Sequence, residues 1–110
     1  IASMQVIGDV KGMNVVFVDD MVDTAGTICK AAELVMERGA LSVRAVVTHP
    51  LLSGPAHDRI RASALTELIT TDTIPQRQAN EKVRVISLAP LFAQAIRNVV
   101  THESISSLFA

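Results

Sequence analysis

The chain has 110 residues, 49% of them hydrophobic and 19% charged, with a formal net charge of −1, which bounds it at one domain with material for a core and excludes a disordered composition. Ten basic residues are dispersed from Lys11 to Arg97 and the only aromatics are Phe17, Phe92 and Phe109, which excludes a nucleic-acid surface built on a basic stripe or a stacking platform. Mean hydropathy is +0.37, yet no apolar run approaches the ~18 residues of a membrane span, so the apolar surplus points to buried parallel strands, subunit contacts, or both.

Met4 to Ile7 is apolar and reads as a short strand. Gly8-Asp9-Val10-Lys11-Gly12 is a turn by its glycines and its aspartate. Asn14 to Val18 reads as the central strand: a short continuous apolar run bounded by turn signals suits a strand buried on both faces. The spacing of Ile28, Ala31, Ala32, Val35 and Met36 predicts a helix over Thr27 to Arg38, with Lys30, Glu33 and Glu37 on its wet side and Gly39 as its stop. The single cysteine, Cys29, lies early in that helix and reads as packing, with no internal disulfide to form. Val43 to Thr48 is a second strand, so a right-handed βαβ unit is the default.

His49-Pro50 ends that strand and Leu51 to Pro55 is a loop. Pro55 suits the first turn of a helix that reaches Ala62 or Ser63. Glu67 to Thr70 is a short strand, Asp72 to Lys82 a polar surface loop, and Val83 to Ser87 a further strand. Ser87 reads as a cap for the next helix, which Pro90 opens, with Leu91, Phe92, Ala95, Ile96, Val99 and Val100 apolar. The tail from Thr101 to Ala110 is serine-rich with an apolar end. His49, His57 and His102 are scattered, with His57 read as a surface residue and His49 as structural at a strand end. No Cys/His cluster suggests zinc, and no residue stands out as a nucleophile.

The chemistry concentrates in Val15-Val16-Phe17-Val18-Asp19-Asp20-Met21-Val22-Asp23-Thr24-Ala25-Gly26-Thr27, a strand, an acidic loop and a helix start. Ligands of open α/β sheets bind at the carboxyl ends of strands, and N–H groups at a helix N-terminus favour an anion, above all a phosphate. Thr24 and Thr27 add hydroxyl donors, Gly26 offers a positive φ and a close approach, and Ala25 is too small to obstruct. Asp19 and Asp20, as carboxylates, only accept hydrogen bonds, so they suit hydroxyls or a metal ion. Asp23 sits between the two poles, as a helix cap or as an acceptor for a substrate hydroxyl. A ligand with a diol at one end and a phosphate at the other, such as ribose 5-phosphate, fits both poles.

That stretch resembles the phosphoribosyl pyrophosphate (PRPP) motif of type I phosphoribosyltransferase folds, and in its Asp-Asp-Met-Val-Asp-Thr-Ala-Gly-Thr form it looks most like the ribose-phosphate pyrophosphokinases. Gly8 to Gly12, Leu52-Ser53-Gly54-Pro55-Ala56, Ser87-Leu88-Ala89-Pro90-Leu91 and the tail Glu103 to Phe109 are similar to stretches of that family too, so the resemblance covers nearly the whole chain. It implies an α/β, three-layer, type I phosphoribosyltransferase-like domain with a mainly parallel sheet flanked by helices. It implies that residues 1–110 are the C-terminal domain of a longer two-domain chain, since the chain starts at Ile1 without an initiator Met.

The activity so implied is transfer of the diphosphoryl group of ATP to the C1 hydroxyl of ribose 5-phosphate, giving PRPP and AMP, with Mg²⁺ bound mainly by groups outside this segment. Asp23, Thr24, Ala25, Gly26 and Thr27 would hold the 5-phosphate and Asp19 and Asp20 the ribose hydroxyls. This half would position substrate rather than move protons, and alone would be inactive. Ser104, Ser106 and Phe109 would belong to a regulatory phosphate site between subunits, or the tail is an apolar anchor. The resemblance also implies a cytoplasmic homo-oligomer, a hexamer, with no nucleic-acid or membrane partner. Two other readings compete: a phosphoribosyltransferase, disfavoured by the Leu52–Ala56 and tail stretches, and a non-catalytic regulatory subunit of a synthetase, disfavoured by the intact acidic loop.

Overall fold

Four runs rich in β-branched residues form the strands of one parallel sheet. In a computed structural model describing residues 4–109, these are β1 (Asn14–Val22), β2 (Ser42–Pro50), β3 (Glu67–Thr71) and β4 (Val83–Ile86), hydrogen-bonded in the order β1-β2-β3-β4. The helix α1 (Gly26–Glu37) links β1 to β2, α2 (Ala56–Ala62) links β2 to β3, and α3 (Ala89–Val100) follows β4. A 3-10 turn covers Ser106–Phe109. This is the expected α/β architecture, a parallel sheet flanked by helices.

Side chains alternate along a strand, so register decides which of them meet. Val15 pairs with Val43, Phe17 with Ala45, and Ala45 with Leu68, all on one face. Against that face pack Ala32 and Val35 of α1 and Ala56 and Ile60 of α2, with Leu65 closing the far end. Thr70 is buried there too, its hydroxyl donating to the Val47 carbonyl at 2.7 Å. The opposite face carries Val16, Val18 and Val46, which remain exposed.

β1 is therefore a correction to the reading of its sequence. Among the described residues it pairs with β2 alone and forms the sheet's edge, and Val16 and Val18 are 55% and 80% exposed. The uninterrupted apolar run supplies both faces, but α1 and α2 cover the same one. β1 also continues through the acids to Val22, because its pairing with β2 carries on through Met21 opposite His49 and Val22 opposite Pro50. Met4 to Ile7 takes no strand: it has no ladder partner, and Ile7 is exposed while Val6 leans on the core.

α1 stops as its sequence demands. Gly39 takes φ 92°, its N–H donates to Met36 O at 3.1 Å, and the Ala40 N–H donates to Val35 O at 3.1 Å. Those two bonds make a Schellman motif, which glycine at C′ permits. The Gly8–Gly12 turn docks on this end, with the Gly12 N–H donating to Gly39 O at 2.9 Å. Ser87 serves α3 from one residue before its cap, Leu88: its hydroxyl accepts the Ala89 N–H at 3.1 Å and donates to Asp72 at 2.6 Å. The apolar stripe of α3, including Phe92, Ile96, Val99 and Val100, is exposed.

His57 is a second correction. It is buried on α2, and its Nδ1 lies 3.1 Å from the Asn80 amide nitrogen. A burial site that offers a donor to one ring nitrogen makes histidine a core residue, and a lone sequence position gives no sign of that partner 23 residues away.

Candidate functional site

The strand–loop–helix junction encloses a cavity of about 450 Å³ at the carboxyl end of β1, lined by Asp19, Asp23, Thr24, Ala25, Gly26 and Thr27, among others. Of the residues expected to hold ribose 5-phosphate, only Asp20 is missing from its lining. Asp19 and Asp20 are consecutive within β1 and so point to opposite faces. The Asp20 N–H donates to Asp19 Oδ1 at 2.8 Å, which steadies the Asp19 carboxylate.

Asp23 does not cap the helix. Its carboxylate accepts a hydrogen bond from the Ser53 hydroxyl, and its carbonyl accepts from the Ser53 N–H at 3.0 Å. The Leu51 and Leu52 N–H groups donate to Val22 O at 3.0 and 3.3 Å. The loop after β2 is thereby laced to the loop after β1, and Asp23 acts as a tether between them.

The helix start departs from expectation in a second way. The positive φ belongs to Ala25, the cap residue of α1, at φ 65° and ψ 10°, and not to Gly26. A left-handed alanine costs about 1–2 kcal/mol, and such strain persists only where the surroundings over-determine it. Here the surroundings are the lacing just described and Arg59 of α2, whose Nη1 donates to the Thr24 carbonyl at 3.1 Å. Gly26 instead makes room for that arginine, since a Cβ at position 26 would stand 3.1 Å from Arg59 Nη1.

No side chain caps α1. The first N–H groups of a helix lack intrahelical acceptors, so those of Gly26, Thr27 and Ile28 are free beside the cavity, where the helix dipole favours negative charge. The cavity thus has an acceptor pole at Asp19 and a donor pole at the helix start, with the threonine hydroxyls beside it. Sequence reasoning missed Arg59 and the part Ser53 plays. Ser53 lay in a stretch noticed only for its resemblance, and Arg59 becomes relevant only once α2 packs beside α1.

The other predicted groups fall elsewhere. Ser104 and Ser106 meet, their hydroxyl oxygens 2.7 Å apart, in a tail folded back by Asn98, whose amide donates to Ser104 O at 2.8 Å. Phe109 is 72% exposed. His49 Nδ1 is 2.9 Å from the Thr73 hydroxyl, at the strand ends. Cys29 is half-buried, and burial pushes its thiol up against the pull of the Ser63 hydroxyl and the nearby Arg59 and Lys82 charges. Among the described residues, no group of three or more His, Cys, Asp or Glu could hold a metal ion, and no helix is long and apolar enough to cross a membrane. Mg²⁺ takes hard oxygen ligands and is commonly held by one or two carboxylates together with substrate phosphates. Asp19 suits that mode as a single ligand.

A parallel α/β sheet with an acid and free helix N–H groups around one strand-end cavity has the architecture of domains that bind phosphorylated ligands. Comparison with known proteins narrows the class. The chain belongs to the family described as the phosphoribosyl synthetase-associated domain, whose profile matches residues 2–110. It is 56% identical over 106 residues to a ribose-phosphate pyrophosphokinase of Helicobacter hepaticus, covering 96% of this chain and 34% of the relative. It is 52% identical over 109 residues to that of Porphyromonas gingivalis, covering 99% and 35%. The fold superimposes on the crystal structure of phosphoribosylpyrophosphate synthetase from Mycobacterium smegmatis with a TM-score of 0.83 and 41% identity, covering 87% of this chain and 33% of that one. The chain spans about a third of the length of these relatives.

Proposed function

We propose that this chain is the ribose 5-phosphate-binding part, in the C-terminal half, of an enzyme that transfers the diphosphoryl group of ATP to the C1 hydroxyl of ribose 5-phosphate. The observation that carries the reading is the two-poled cavity, with the Asp19 carboxylate at one end and the uncapped start of α1 at the other. The 5-phosphate sits on the N–H groups of Ala25, Gly26 and Thr27 and the hydroxyls of Thr24 and Thr27. Asp19 accepts from the ribose hydroxyls, and Asp20 takes a lesser share from the far face. With both ends held, the C1 oxygen is aimed at the β-phosphorus of ATP. That oxygen forms the new P–O bond, the bond from the β-phosphorus to the oxygen of AMP breaks, and the C1 hydroxyl proton leaves.

Positioning of this kind lowers a barrier by up to about 7–11 kcal/mol in ideal cases. Mg²⁺, held mainly by groups outside this segment, would supply charge neutralisation on the phosphates. The names of the relatives support this activity, and transfer chemistry in nucleotide biosynthesis fits those names. The segment alone is inactive, because among its described residues no cluster of cations faces the cavity to stabilise a transferring phosphoryl group. The exposed stripe of α3 and the open sheet face fit a homo-oligomer, for which the resemblance suggests a hexamer in the cytoplasm, with Ser104, Ser106 and Phe109 at a regulatory phosphate site between subunits.

The test is ribose 5-phosphate binding by calorimetry to the full-length protein, wild type against Asp19→Asn/Asp20→Asn, with AMP production from ATP on the same samples. Binding and AMP release, both lost in the double variant, are the expected result. Binding without AMP release would turn the assignment towards a phosphoribosyltransferase or a regulatory subunit. No binding by the wild type would overturn the cavity's assignment.

A further inference from the structure

α1 separates two hollows. The cavity of the proposed site reaches Thr27, Ile28 and Ala31. A groove of about 660 Å³ runs along Cys29, Lys30, Glu33 and Arg59. At about 3.6 residues per turn these two sets fall on opposite sides of the helix. Arg59 therefore reaches the Asp23–Thr27 loop from behind, and its Nη1 donates to the Thr24 carbonyl at 3.1 Å.

Direction follows from the peptide unit. The Thr24–Ala25 bond is trans, as are all the described peptide bonds, and the carbonyl and N–H of a trans planar unit point opposite ways. A Thr24 carbonyl drawn back to Arg59 sends the Ala25 N–H forward, to the side where the cavity lies. Arg59 has no ion-pair partner among the described residues, so its charge is not spent on a carboxylate. Gly26 keeps the path clear, since a Cβ there would stand 3.1 Å from the guanidinium.

We infer that Arg59 is a positioning residue: by gripping the Thr24 carbonyl from behind α1, it locks the left-handed turn at Ala25 and aims the Ala25 N–H at the bound phosphate. The inference rests on the phosphate-binding reading of the cavity and adds to it a residue that never touches the ligand. Lysine at 59 can restore a donor and a charge but not the planar fork.

The experiment measures ribose 5-phosphate affinity by calorimetry, and KM for ribose 5-phosphate and for ATP, in the full-length wild type and in Arg59→Ala, Arg59→Lys and Gly26→Ala. A charge-assisted bond that shapes the site predicts a loss of about tenfold or more in ribose 5-phosphate affinity for Arg59→Ala, with KM for ATP unchanged and partial rescue by Arg59→Lys. Gly26→Ala brings a Cβ to 3.1 Å from Arg59 Nη1, so the guanidinium must give by a few tenths of an ångström, and ribose 5-phosphate affinity should fall by less than in Arg59→Ala. With ¹⁵N-alanine labelling, the Ala25 amide should shift on adding ribose 5-phosphate in the wild type and not in Arg59→Ala. Wild-type binding with undiminished affinity in Arg59→Ala overturns this inference and leaves the cavity reading standing. So does a parallel fall in both KM-derived affinities and in melting temperature, which marks a merely structural arginine. A wild type that binds no ribose 5-phosphate overturns both.

Discussion

Two neighbouring aspartates of one motif should not behave alike. Asp19 and Asp20 follow one another inside β1 and point to opposite faces, and of the two only Asp19 lines the cavity. Asparagine at 19 keeps the oxygen that accepts the Asp20 N–H at 2.8 Å, so Asp19→Asn leaves the fold nearly untouched. What it removes is charge. A hydrogen bond to a charged acceptor contributes about 1–1.5 kcal/mol more than a neutral one, so ribose 5-phosphate should bind Asp19→Asn about tenfold more weakly. Asp20→Asn should weaken it by much less. Calorimetric titration of the two single variants of the full-length protein decides the matter. Equal losses, or a larger loss at Asp20, would refute the assignment of the hydroxyl pole to one face of β1.

Two further outcomes follow from elements outside the cavity. Gly39→Ala places a side chain at φ 92°, with its Cβ 3.2 Å from Lys11 Cγ, and should cost about 1–2 kcal/mol of stability, seen as a lower melting temperature and faster hydrogen exchange in the last turn of α1. The Leu88 N–H and the Ser87 hydroxyl hold the Asp72 carboxyl below the usual aspartate range. A depressed carboxyl stabilises above its unfolded pKa and loses that contribution as pH falls through the folded value. Asp72→Ala should therefore lower the melting temperature at neutral pH, and the difference from wild type should narrow well below about pH 4.

Much of the fold was legible because its signals are local. Gly39 stops α1 by a mechanism that reads from one residue, and Pro55 and Pro90 mark their helix starts where the structure puts them, at the cap and second position. The order of strand, turn and helix around Asp19 to Thr27 was legible for the same reason, but the strand runs on through Asp19 to Val22 and the positive φ sits at Ala25. What was not legible depended on distant partners. The run Val15–Val18 has the composition of a doubly covered strand, but composition does not say that α1 and α2 return over one face. His57 looks like a surface residue until Asn80 is placed beside it. The left-handed turn falls at Ala25, and the glycine at 26 answers a different need, the space taken by Arg59 more than thirty residues on.

The tether between the two loops gives the last test, because it separates a structural aspartate from a ligand-binding one. Asp23 lines the cavity, yet its carboxylate is already engaged by the Ser53 hydroxyl. If its role is to hold the loop after β2 against the loop after β1, Ser53→Ala and Asp23→Ala should do the same damage, because each removes one end of the bond, and their effects should not add in a double-mutant cycle. If Asp23 instead binds a substrate hydroxyl, Asp23→Ala alone should lose ribose 5-phosphate affinity, and Ser53→Ala should free an acceptor and tighten binding. The backbone bond from the Ser53 N–H to Asp23 O survives both substitutions, so the loops stay near one another and the cycle reads the side chains only. The structure favours the first outcome, in which stability and affinity fall together, to the same extent, from either side of the tether.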